Sequence, residues 1–262
     1  MKNLTTGNDD SRATLVRIGI LVAIACMVAT VVWLGARTRA DDDSGGPDAT
    51  GGGNSSQTVE NASVEQVAPG TAPADGVVIP IGDDQVDGYP TGFPATDMGA
   101  VALQVELAKA QLGFDYDQAV TVARLYANPE DKAVFEERSR AAVALRRQQA
   151  GVAKEGDVPA PASYAVTPVA YTLEELDTGY YAVNLLSYVT LTTANGKVSD
   201  GLYAGTQMMH WIEVDGVGDW RLVQGSDEDI EHLVSTGQPK AVAPGTPEYK
   251  QAGWIPINGA PQ

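Results

Sequence analysis

The stretch TGYYAVNLLSYVTLTTANGKVSDGLYAGTQMMHWIEV, residues 178–214, decides the fold. Within Tyr180–Thr193, Val183, Leu185, Val189 and Leu191 share one side, because successive side chains of an extended chain point to opposite faces. Asn195-Gly196 follows. This pair tolerates the positive φ that tight hairpin turns require. Leu202–Val214 then returns as the next strand. Asp200, between hairpin and strand, reads as a turn residue. Outward from this hairpin, Ser163–Leu173 precedes it across the turn Asp177-Thr178-Gly179. Asp215–Gly218 turns the chain into Trp220–Val223. Four antiparallel strands are expected.

Upstream the period changes to that of helices. Thr96 or Asp97 caps a helix reaching about Leu112, where Gly113 ends it. Its apolar residues cover two stripes, Val101/Val105/Ala108/Leu112 and Ala100/Leu103/Leu107/Ala110, so more than one neighbour must bury it. Asp115 starts a second helix through Tyr126, with Gln118 at capping-box spacing. Asn128-Pro129 reads as the cap and first residue of a third, ending at Gly151. Its inner face is expected at Val134, Phe135, Ala141, Ala142 and Leu145. Arg138, Arg140, Arg146 and Arg147, interleaved with Glu136 and Glu137, read as its solvated face. Helices followed by antiparallel strands specify an α+β domain, with the helices on one face of a curved, cone-like sheet. Just before the first helix, GYPTGFPATDMGAVALQ (Gly88–Gln104) combines Tyr89-Pro90 and Phe93-Pro94 with small residues. The prolines favour extended backbone before them. The aromatics pin that segment to the domain, and Gly99, Ala100 and Ala102 allow close helix packing.

The net charge of the 262-residue chain is −17. Residues 1–40 carry +3, residues 41–88 carry −10 with no base, and residues 89–262 carry −10. No clustered basic surface is available for nucleic acid, so no such partner is expected. Cys26 is the only cysteine, which excludes an internal disulfide and a cysteine zinc site.

Ile18–Ala36 (IGILVAIACMVATVVWLGA) has no charge and is long enough for a membrane helix. Arg17 and Arg37 flank it, and Trp33 suits an interfacial anchor. Three readings compete. Thr38-Arg39-Ala40 resembles a signal-peptidase site, and Ala25-Cys26 faintly resembles a lipobox. The length of the run and its continuation beyond Cys26 favour an uncleaved signal anchor. The expected layout is a cytoplasmic N-terminus (1–17), a transmembrane helix (18–36) and a disordered acidic linker (37–87). An extracytoplasmic α+β domain (88–235) and a Pro/Gly-rich tail (236–262) follow. The linker lacks aromatics and cannot offset its ordering entropy. The protein is expected as single-pass in the cell membrane, with its C-terminal domain outside.

Candidate chemistry is sparse. His210 shares a strand face with Thr206, Met208, Ile212 and Val214. With Tyr188 or Asn184 from the preceding strand it can be drawn as a pocket base. The simpler reading is a half-buried histidine bonded within the sheet. His232 reads as a surface residue. No G-x-S-x-G, H-E-x-x-H, C-x-x-C or Walker A motif occurs, so no cofactor or metal is expected. Tyr249, Trp254 and Ile255 are bulky groups on a loop-like tail, which either dock back or contact a partner.

A helical layer followed by a long-stranded sheet ending in W-x-L-V, Trp220–Val223, resembles the cone-shaped nuclear-transport-factor-2-like fold. Anchor, linker and α+β domain together resemble the exterior scaffold proteins of type IV secretion and Gram-positive conjugation systems. GFPATDMGAVA, Gly92–Ala102, with its G-x-P-x-T-x-x-G-A-V spacing, resembles an opening motif of uncharacterised membrane-anchored actinobacterial proteins. None of these likenesses brings a catalytic residue. They imply a non-enzymatic scaffold that assembles with envelope proteins or with itself. The alternative is a small-ligand-binding or isomerase-like cone using His210.

Overall fold

The computed structural model describes residues 76–111, 113–214 and 216–261. The apolar run 18–36 and the linker before residue 76 lie outside them. Among the described residues no helix is long and apolar enough to cross a membrane.

Strand pairing begins before the expected domain boundary at residue 88. Strands β1 (Asp84–Val86) and β2 (Tyr89–Thr91) form an antiparallel hairpin. Its turn is Asp87-Gly88, with φ of 52° and 82°. This is the Asp-Gly pair that a two-residue hairpin favours. Strands this short, and one of them exposed throughout, give no apolar alternation to announce them.

Helix α1 (Asp97–Ala110) is capped by Thr96, whose side chain accepts from the Gly99 N–H. Every residue from Met98 to Val105 is buried, as the doubled apolar stripe implies. Helix α2 (Tyr116–Tyr126) is capped by Asp115, which accepts from the Asp117 and Gln118 N–H groups. Helix α3 (Lys132–Ala150) starts later than the Asn128-Pro129 signal suggests and ends on Gly151 in the left-handed conformation. The cause of the late start is tertiary. The Asn128 N–H donates to the Leu222 carbonyl at 2.9 Å, tying Asn128 to a strand edge. The chain then turns, and Asp131 becomes the cap residue. Its carboxylate accepts instead from the Gln224 N–H.

The sheet has the order β6-β5-β4-β3-β7, with each neighbouring pair antiparallel. Its strands are β3 (Ser163–Asp177), β4 (Tyr180–Thr192), β5 (Val198–Val214), β6 (Val217–Val223) and β7 (Ile255–Pro256). Strand β5 begins directly after the Asn195-Gly196 turn, so Asp200 is not a turn residue but pairs with Thr190. Register shifts in β3 at Pro168/Ala170 and Glu175/Asp177 bend the sheet, as bulges do. Proline is tolerated at such a place.

Tyr171, Val183, Leu185, Met209, Trp220 and Leu222 meet α1 and α2 in the main core. On the opposite face, Val169, Ala170 and Leu186 pack against Tyr249 and Trp254. Further along it, Met208 and Val223 pack against Ile230 of α4 (Asp227–Thr236). The tail therefore belongs to the fold. Helix α5 (Pro247–Gln251) leads through Trp254 into β7. Val77 pairs with Ile257, and the Asn258 N–H donates to the Val77 carbonyl at 2.9 Å. The two ends of the described chain are thus joined at the β7 edge.

Two buried tyrosines make stability pH-dependent. Burial pushes the Tyr171 phenol up to about 12, with the Asp97 carboxylate adding to it, and burial alone pushes Tyr249 up to about 12. In the unfolded chain a tyrosine titrates near 10. The fold therefore favours the neutral phenols. Their contribution is whole below about pH 10 and is lost as pH rises toward 12. The thermal midpoint is expected to fall over that interval, and less steeply in Tyr171→Phe. Identical slopes in both proteins would contradict the assignment to Tyr171.

Candidate functional site

His210, Asn184 and Tyr188 share one face of the sheet, but it is the face turned away from α1 and α2. Strand alternation grouped them rightly. The helical layer packs instead on the side of Tyr181, Val183, Leu185, Met209 and Trp211. His210 pairs with Tyr180, whose ring lies 5.1 Å away centre to centre. Asn184 pairs with Thr206 and Tyr188 with Leu202. At about 3.3 Å per residue, His210 lies roughly 13 Å from Asn184 and roughly 26 Å from Tyr188. The three form no common pocket. Asn184 is occupied: its Nδ2 donates to Thr172 Oγ1 at 2.9 Å, and its Oδ1 accepts from Thr206 Oγ1. Tyr188 packs beside the Tyr249/Trp254 cluster. His232 contacts Glu174 at 2.7 Å on the surface.

The tail aromatics are likewise not available to a partner. Tyr249, Trp254 and Ile255 are only 6%, 5% and 7% exposed. Trp254 Nε1 donates to the Lys240 carbonyl at 3.0 Å, and Ile255 pairs with Tyr171. Of the two readings of the tail, the back-docked one is the arrangement found. The apolar patch of Val169, Ala170 and Leu186 gives it a surface to cover.

Two arginines of the expected solvated face are in fact buried, and one of them borders a cleft. Arg146 and Arg147 are 2% and 6% exposed. Ala141, assigned to the inner face of α3, is exposed. Arg147 donates to the carbonyls of Phe114, Ala153 and Gly156 and lies over the Tyr116 ring, fastening the chain on either side of α3. Arg146 donates from Nη1 to the carbonyls of Gln111 and Gly113, and from Nε to that of Ala142. The Gln111 and Gly113 carbonyls lie just past the C-terminal end of α1, where the helix dipole favours a cation. Its guanidinium stands 5.0 Å from the Tyr164 ring centre. Burial lowers the Arg146 pKa and raises that of Tyr164. No carboxylate pairs with Arg146 among the described residues. Beside it lies a cavity of about 40 Å³, open on one side and lined also by Val166, Leu185, Ser187, Val189 and Tyr203.

A second feature is an open strand edge. Strand β6 pairs with Met208–Val214 of β5, and among the described residues the strand pairing of Val198–Gln207 is on the β4 side. The Trp211 N–H donates to the Gly179 carbonyl across the β4 side. Alternation then turns the backbone of the even-numbered residues, Val198 to Thr206, outward. Such an edge invites another strand unless it is short, charged, bulged or blocked by proline. Here only Asp200 is charged and proline is absent. No group of three or more His, Cys, Asp or Glu side chains is placed to hold a metal among the described residues. Comparison with family models, with curated proteins and with solved structures finds no match to this chain.

Proposed function

We propose that this is a membrane-anchored, extracytoplasmic, non-enzymatic assembly domain. It is held by one helix at residues 18–36 and takes a partner strand along the outward edge of β5. The observation that carries the reading is the half-paired β5, with backbone from Val198 to Thr206 directed away from β4. Main-chain hydrogen bonds supply affinity in strand addition. The acidic balance of residues 89–262, −10, favours a partner segment carrying Lys or Arg. The uncharged anchor and acidic linker fit an envelope system of the conjugation or secretion type, and the helical layer on a curved sheet fits a cone-like fold. The dispersal of His210, Asn184 and Tyr188 speaks against the isomerase-like alternative.

Asp200→Pro tests the edge. It removes an outward N–H and leaves the β4 ladder intact, so the thermal midpoint should stay within a few degrees. Co-purification of envelope partners with the full-length protein from membranes should fall at least tenfold. Undiminished recovery would refute edge docking. Protease protection of the C-terminal domain in intact cells should fail, because the domain faces outward. A fully protected domain would refute the topology.

A further inference from the structure

The cleft beside Arg146 shares Tyr203 with the half-paired part of β5 but is built around other groups, and it stands or falls independently of the assembly reading. A guanidinium cannot shed its charge inside a protein. Taking a charge out of water is costly unless other groups compensate it. In Arg146, Nε and Nη1 are compensated by three carbonyls and the α1 dipole. Nη2 donates to no group among the described residues and belongs to the side chain that lines the cavity. One part of the fork is thus fixed by carbonyls, while the side chain as a whole borders the cavity.

The surroundings define what fits there. Among the described residues, Arg146 is the only charged one of the lining. One cation in an acidic domain suits a monoanion better than a phosphate dianion. Ser187, 3% exposed, adds a hydroxyl at the cavity wall. Ala108, Val166, Leu185 and Val189 make much of the remaining wall apolar, with Gln111 and Tyr203 as its other polar residues. A volume of about 40 Å³ holds roughly three water-sized groups. That is room for a carboxylate and its first carbon, with a longer chain leaving through the open side. We propose that this cleft binds a small monocarboxylate, its oxygens accepting from Arg146 Nη2 and the Ser187 hydroxyl. Charge-assisted hydrogen bonds of this kind are among the stronger polar contacts.

The test uses the full-length protein in detergent micelles, labelled with ¹⁵N-arginine and titrated with sodium acetate. Sodium chloride at equal ionic strength and sodium phosphate are the comparisons. The Arg146 Nε signal should shift saturably in the millimolar range with acetate and not with chloride or phosphate. Replacing Arg146 removes the cap of α1, so the deciding variants are at the wall. Val166→Phe, which fills the cavity, should weaken acetate binding at least tenfold. Ser187→Ala should weaken it several-fold, and both should keep the remaining arginine signals in place. An acetate shift no different from chloride overturns the proposal. So does saturation by phosphate at equal concentration, or unchanged affinity in Val166→Phe.

Discussion

Gly99→Ala should destabilise the domain by about 2–4 kcal/mol, although alanine is the better helix former by about 1 kcal/mol. The reason is the space around Gly99. A Cβ there would lie 1.9 Å from the Pro94 carbonyl oxygen and 2.6 Å from Trp220 Nε1. These two atoms are themselves hydrogen-bonded at 2.7 Å. The methyl group therefore forces α1 off its seat and breaks a bond made by a tryptophan that is 2% exposed. An unsatisfied buried donor costs about 1–3 kcal/mol, and overpacking a similar amount. Asp219 contributes to the same clamp, accepting from the Gly92 and Phe93 N–H groups at 3.3 Å each. Tyr126 donates to the Pro90 carbonyl at 2.9 Å. Chemical denaturation measures the loss, and a Gly99→Ala protein as stable as its parent would contradict this packing.

Trp254→Ala should cost about 3–5 kcal/mol, the usual range for a buried tryptophan. The loss exceeds that of one side chain's burial because Trp254 holds down the segment that continues into β7. Its indole packs with Val169, Ala170 and Leu186, and its N–H fixes the Lys240 carbonyl. Ile255 and Ile257 follow it into the main core, where Val77 joins them. Hydrogen exchange should therefore speed up at Val77 and Asn258 as well as around Trp254. An exchange change confined to α5 would show the tail to be an appendage.

The sheet was legible because its signals are local. Asn195-Gly196 and Asp177-Thr178-Gly179 sit at turns, and alternation in β4 marks Val183, Leu185 and Val189 as buried on one side. Which side the helices cover was not legible. Ala182 and Leu186 on the other face of β4 are equally buried, Leu186 beneath the tail. Alternation alone therefore does not tell whether the face carrying His210, Asn184 and Tyr188 lines a pocket. The burial of Arg146 and Arg147 has no local signature either. It depends on the carbonyls of Gln111, Gly113, Phe114, Ala153 and Gly156, which belong to connections before and after α3. Of the candidate cleft, the helical position of Arg146 and the shared strand face of Leu185 and Val189 were readable. The β1–β2 hairpin had one readable sign, Asp87-Gly88, masked by the polar run around it.

The central claim concerns the edge of β5. A photo-crosslinking residue placed at Asp200 in the full-length protein, in the membrane of the cell that makes it, tests that claim most directly. Glu231, exposed on α4, serves as the control position. A discrete adduct is expected from position 200, lost when Ala204 is also replaced by proline, with none from position 231. No adduct at position 200 in a correctly folded, membrane-bound protein would contradict it.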